Sequence, residues 1–354
     1  VLFVFGYAGS QHMKIGDLHA GAPSLHEHSP YNQDTFLITD KYAITVDYMS
    51  VIVESDAEAC TNYDLMRTID EFQWRMESVA GVQSAVSLAA VAKRVNAGYN
   101  EGNPKWRSLP RNQQTLVQAI SRVPTSSGLL NTDCSNMPVI LFMEDHKAET
   151  IENVVAAVKT NAQLLEKDNL SFKLASGPVG VMAATNEAVE RAQMPMLFYV
   201  YGAVILLCIL SFRSLRSTLV VVLPLFVVST LAQALMTYLE IGLTVSTLPV
   251  IALGVGIGVD YGIYIISTMN EKLRSGLPLQ QAYYESLKER GNAVLFTAVT
   301  LAIGVSTWFF SALKFQVDMG ILLTFMFVVN MLGAVLVLPA LSTLFWRNSK
   351  TNKN

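Results

Sequence analysis

Apolar and polar positions divide this chain into two unlike stretches. Beyond Met194, five long apolar runs follow one another, at about Pro195–Phe212, Thr218–Leu239, Val245–Met269, Asn292–Ala312 and Met319–Phe345. Each is long enough for a helix to cross a bilayer core of about 30 Å. Before Met194 the pattern is mixed. Ala43–Glu54, Val82–Leu88, Val139–Met143 and Ser171–Ala175 are short and rich in β-branched residues, which predicts strands. Ala57–Val79 carries Leu65, Ile69, Phe72 and Met76 at helical spacing, and Ala148–Lys167 does the same with Ile151, Val154, Val155, Val158 and Leu164. Residues 91–136 interrupt the series, with Asn103-Pro104, Leu109-Pro110 and Val123-Pro124 as breakers. The order is βαβ, insertion, βαβ, which predicts a ferredoxin-like α+β domain. His12–Asn32 reads as a loop; within it His19, His26 and His28 fit no tight ligand spacing and have no Cys among them. Gly177–Gln193 reads as helix running straight into the first span, tying the domain to the bundle without a flexible linker.

The expected fold class is an α-helical polytopic membrane bundle of five full spans plus an N-terminal partial span, with an α+β ferredoxin-like extracytoplasmic domain. Residues 1–11 read as the end of a transmembrane helix, 12–193 as the outer domain with its insertion at 91–136, 194–346 as the membrane domain and 347–354 as a tail. Within the membrane domain, residues 278–290 read as an interfacial helix, with Leu279, Tyr283 and Leu287 on one side and Gly291 as its stop.

Composition agrees with this division. The chain is 51% hydrophobic and 15% charged, where soluble domains carry about 25% charged residues. A net charge of −3 and the lack of a basic run argue against nucleic acid. The cations of the bundle lie in alternate loops: Arg213 and Arg216, then Lys272, Arg274, Lys288 and Arg290, then Arg347, Lys350 and Lys353. The opposite loops offer Glu240, Lys314 and Asp318. By the positive-inside rule the C-terminus is cytoplasmic and the large domain extracytoplasmic. Cys60 and Cys134 both fall in that domain, where an oxidising compartment allows them a disulfide; Cys208 falls inside a span.

The chemistry concentrates in the third span, VSTLPVIALGVGIGVDYGIYIISTMN. Gly254, Gly258 and Gly262 share one helical face, a small-xxx-small pattern that admits a close neighbour. Asp260 lies opposite, with Leu253, Gly256, Tyr264 and Ser267. Gly254, Gly256, Gly258 and Gly262 are thus the expected packing positions, with both faces covered inside a bundle. A carboxylate at membrane depth costs at least ~2.5 kcal/mol. It sheds that cost by taking a proton, so Asp260 is the candidate site of a coupling proton. In the fourth span Thr297, Thr300, Gly304, Thr307 and Ser311 form one stripe, from which Thr297 and Thr300 are candidates to line a hydrated path to it. Hydroxyls in such a stripe also bond to their own helix, and that alternative stays open. No phosphate loop, nucleophile elbow or Cys/His zinc spacing is present, which argues against an enzyme and predicts no metal and no cofactor beyond protons.

GVGIGVDYGIYI in the third span and MLGAVLVLPAL, Met331–Leu341, in the last resemble the resistance–nodulation–division (RND) superfamily, and within it the MMPL-type exporters. The resemblance covers nearly the whole chain. It implies a C-terminal half of a two-half transporter, with Asp260 and Tyr261 as a proton-relay pair. The implied partners are an N-terminal half of the same polypeptide, membrane lipids, a hydrophobic substrate, and a homo-oligomer or periplasmic accessory proteins. It implies proton-driven export of lipidic or hydrophobic small molecules across a bacterial inner membrane. A receptor or scaffold of sterol-sensor type, on the same fold, is the alternative; it has less need of a titratable group. An accessory to protein translocation fits poorly with the 91–136 insertion.

Overall fold

A computed structural model describes residues 2–42 and 45–347. It divides into two units, one of Val1–Leu18, Pro23–His26 and Glu187–Asn354, the other of His19–Ala22 and Glu27–Asn186. The start of the strand expected over Ala43–Glu54, and the tail with Lys350 and Lys353, lie outside the described residues.

Two helices come first, α1 (Leu2–Ser10) and α2 (Pro30–Lys41). Helix α2 starts on a strong local signal: the Ser29 side chain accepts from the Asn32 N–H, and Pro30 opens the first turn. The loop expected to reach Asn32 therefore gives way to helix at Pro30. Apolar spacing did not announce it, because only Asn32 and Thr35 of this helix are buried.

The sheet-bearing unit continues with β1 (Tyr48–Ser55), α3 (Tyr63–Glu77), β2 (Val82–Val86), α4 (Leu88–Tyr99), α5 (Gln113–Ile120), β3 (Asn136–Met143), α6 (Ala148–Leu165) and β4 (Leu170–Ser176). The strands form one sheet in the order β2-β3-β1-β4, and every neighbouring pair is antiparallel. Strand β3 alternates strictly, burying Met137, Val139, Leu141 and Met143, as the two-residue period of a one-sided sheet requires. These side chains share a core with Leu65, Ile69, Phe72 and Met76 of α3 and Ile151, Val154 and Val158 of α6. Phe72 and Phe172 stack in it, centroids 4.5 Å apart. Burial of such side chains stabilises by about 1.5–3 kcal/mol each.

Two boundaries differ from expectation. The strand predicted over Val82–Leu88 ends at Val86, because the Ser87 hydroxyl accepts from the Ala90 N–H and caps α4. The insertion is about half helical, holding most of α4, all of α5 and the 3-10 turns Pro104–Trp106 and Thr125–Ser127. Its prolines start or precede turns rather than break helices. Cys60 and Cys134 are disulfide-bonded, closing the chain around the insertion. Next to that bond the Ser135 hydroxyl and backbone N–H both donate to Asp133, and these bonds hold its carboxyl below the ordinary range.

The other unit is helical: α7 (Pro178–Phe212, begun in the sheet-bearing unit), α8 (Leu215–Tyr238), α9 (Leu248–Arg274), α10 (Leu279–Ser286), α11 (Asn292–Ser306), α12 (Lys314–Leu332) and α13 (Leu338–Arg347). Among the described residues five helical stretches are long and apolar enough to cross a membrane: Pro178–Phe212, Leu215–Tyr238, Leu248–Arg274, Leu279–Phe310 and Lys314–Trp346. Gly291 does not stop a helix. Its φ of −61° is right-handed, and a π turn over Leu287–Gly291 joins α10 to α11 without a break. A glycine ends a helix by turning left-handed, and here the wide π turn absorbs the change instead. A second π turn, Gly333–Val337, joins α12 to α13. The fourth span closes in a 3-10 turn, Thr307–Phe310, short of the expected Ala312. Helix α1 lies against α8, with Gly6 at Thr230 and Gly9 at Ala234. The Thr237 hydroxyl donates to the Gly9 carbonyl at 3.0 Å.

Candidate functional site

Helix α9 carries the candidate site. It is apolar through most of its length, opens on Pro249 in its first turn and ends with Lys272 and Arg274, cations suited to a helix C-terminus. Gly254, Gly258 and Gly262 are buried along one side. A Cβ at Gly254 would strike Met326 of α12, at Gly258 it would come within 2.5 Å of Asn330, and at Gly262 within 2.8 Å of Val221 of α8. So the stripe receives α12 over its first two turns and α8 at its third. Gly256 differs: it is exposed, and nothing lies within 4 Å of where its Cβ would stand. It does not act as a packing glycine within this chain.

The face opposite the stripe is open. Leu253, Gly256, Asp260, Tyr264 and Ser267 are all exposed. The expectation that both faces are covered is therefore corrected: the elements of this chain cover one of them. No hydrogen bond or ion pair engages the Asp260 carboxylate among the described residues. Tyr261 points elsewhere, as consecutive residues on a helix must. It is 2% exposed, belongs to the same buried apolar cluster as Val221, Leu225 and Ile265, and its hydroxyl has no hydrogen-bond partner among the described residues.

Thr297 and Thr300 are exposed on α11, and their hydroxyls serve their own helix. Thr297 donates to the Ala293 carbonyl at 2.8 Å and Thr300 to that of Phe296 at 2.7 Å. Thr307 likewise donates to the Gly304 carbonyl at 2.7 Å. No hydrogen bond joins either threonine to Asp260 or Tyr261. His26 sits with Nε2 3.1 Å from the Ser311 carbonyl. Among the described residues no three His, Cys, Asp or Glu gather where they could hold a metal. Arg67 of α3 and, about forty residues further along the chain, Arg107 and Arg111 line one groove of the sheet-bearing unit, which no pattern in the sequence announces.

Five membrane-length helices, one of them with a carboxylate on its open face, define a polytopic membrane protein. The model of the MMPL family matches residues 41–353, and the chain belongs to that family. It is 27% identical to MmpL12 of Mycobacterium tuberculosis, named as a probable transport protein, over 65% of this chain and 21% of MmpL12. It is 27% identical to MJ1562 of Methanocaldococcus jannaschii, named only as a membrane protein, over 78% of this chain and 70% of that one. A third relative is the sulfolipid-1 exporter MmpL8 of M. tuberculosis, 27% identical over 56% of this chain and 18% of MmpL8. The chain thus spans about a fifth of the mycobacterial proteins that it matches.

Proposed function

We propose that this chain is half of a proton-motive-force-driven MMPL exporter of lipidic or hydrophobic small molecules, with Asp260 as the carboxylate that takes and releases the coupling proton. One observation carries the reading: an ionisable group stands on the open face of an apolar, membrane-length helix in an MMPL chain. Facing lipid in charged form it costs at least ~2.5 kcal/mol. Protonation removes that cost, and a covering surface from a second half or a water-filled path makes both states accessible. Tyr261 is its proposed partner, with Thr297 and Thr300 beside the path. Family membership and the export named for MmpL8 support the transport class.

In this reading the chain is the C-terminal half, and the sheet-bearing unit is a ferredoxin-like domain facing the periplasm of a bacterial inner membrane. The sheet order β2-β3-β1-β4, with a helix after β1 and another after β3, supports that fold. The loop cations support that orientation. A reporter fused after Asn354 then reads cytoplasmic.

The test uses the full-length protein that carries this segment, reconstituted in vesicles with an imposed pH gradient. Asp260→Asn abolishes substrate-linked proton flux and Asp260→Glu retains part of it. Unimpaired proton-coupled transport by Asp260→Asn overturns the proposal.

A further inference from the structure

We propose that the sheet-bearing unit carries a binding site for an oxyanion headgroup, a sulfate or phosphate monoester, in the groove between α3, α4 and the segment leading into α5. The groove has a volume of about 680 Å³, within the range of small-molecule sites. Four cations line it, Arg67 from α3, Lys93 from α4, and Arg107 and Arg111 from the segment before α5, against one acid, Asp70. Asp70 is already engaged, in an ion pair with Lys93. The guanidinium groups of Arg67, Arg107 and Arg111 make no ion pair and no hydrogen bond among the described residues. Three unpaired guanidinium groups around one concavity repel one another, and an anion placed among them relieves that repulsion. The planar fork of arginine matches the paired oxygens of a sulfate or phosphate.

The wall is built rather than loose. Asn96 is buried in α4 and its amide donates to the carbonyls of Trp106 and Ser108, at 2.9 and 3.1 Å. These bonds strap the backbone on both sides of Arg107 to the helix. Trp106, 51% exposed, offers an indole face beside the cations. The groove therefore presents what an amphiphile with an anionic head needs: charge for the head and ring surface for the first carbons of its chain. A free anion satisfies only the first. As a substrate site it would rest on the exporter reading; as a binding site it does not.

The test is a fluorescence titration of the full chain in non-ionic detergent. The probes are octyl sulfate, octyl phosphate, inorganic sulfate, inorganic phosphate and octyl glucoside. Saturable change with the octyl esters, lost in Trp106→Phe and absent with octyl glucoside, is expected. Competition by the inorganic ions marks a site for the oxyanion itself; its absence marks one that needs the chain as well. Arg107→Gln and Arg111→Gln each weaken binding about tenfold, or roughly 1.4 kcal/mol. Arg94→Gln, exposed on α4 and outside the groove, leaves binding unchanged, and so does Asp260→Asn, which separates this site from proton coupling. Circular dichroism confirms that the exposed arginine variants remain folded. Equal weakening by Arg94→Gln, or full affinity in the Arg107 and Arg111 variants, overturns the site.

Discussion

Asn330 of α12 donates its side-chain amide to the backbone carbonyl of Gly254, 2.9 Å away on α9, and fills the space that a Cβ on Gly258 would need. One residue thus uses both gifts of a glycine stripe, the exposed carbonyl and the missing side chain. Polar contacts between membrane helices are worth about 0.6 kcal/mol on average, and overpacking costs about 1–3 kcal/mol. Asn330→Ala is therefore expected to lower stability modestly, and Gly258→Leu by more. The double variant should recover part of the loss, because alanine vacates the space that leucine needs. Unfolding in detergent, read as a double-mutant cycle, checks the coupling.

Tyr261 separates packing from chemistry. Its hydroxyl is buried and unpartnered among the described residues, an arrangement that costs about 1–3 kcal/mol. Tyr261→Phe is expected to hold or raise thermal stability in detergent. If the hydroxyl serves the proton path, proton-coupled transport falls in the same variant. Full transport with raised stability removes Tyr261 from the mechanism.

The bond between Cys60 and Cys134 links residues 74 positions apart. A loop of that length stabilises by roughly 4 kcal/mol on the chain-entropy account. Reduction, or Cys60→Ser with Cys134→Ser, is expected to lower the melting temperature of the sheet-bearing unit. The helical unit holds none of this covalent link. Hydrogen exchange resolved by segment should show the loss within the sheet-bearing unit and leave the helical unit unchanged.

Gly291 offers a test with a clear sign. In a left-handed stop, alanine is strained; in a right-handed turn, alanine is favoured by up to about 1 kcal/mol. Gly291 is right-handed, and its added Cβ would meet the flexible tip of Leu287 at 3.3 Å. Gly291→Ala is expected to melt within about 1 kcal/mol of the parent protein. A loss of several kcal/mol refutes the continuous helix.

Periodicity carries most of what can be read without coordinates. The alternation in Asn136–Met143 and the spacing of Leu65, Ile69, Phe72 and Met76 reflect burial, and burial is what the core selects. Helix α2 and the helices of the insertion were harder. Helix α2 buries little, and α4 begins at once after Ser87, so a short apolar run fits strand and helix alike. The glycine stripe of α9 is legible because helical geometry alone places Gly254, Gly258 and Gly262 together. Its opposite face is not, since nothing in one helix says which neighbours the rest of the chain provides. The arginine groove is silent in sequence, because three separate segments converge to make it.

The threonines of the fourth span have a consequence for whatever lies over them. Thr297, Thr300 and Thr307 have already given their hydrogens to carbonyls of their own helix, and Ser267 on α9 has done the same toward Tyr264. Only lone pairs are left to point outward, as from an ionised Asp260. These exposed positions are rich in acceptors and poor in donors. A neighbour that seats well there must arrive carrying hydrogens: side-chain amides, guanidinium groups, or a file of water molecules with their protons turned inward.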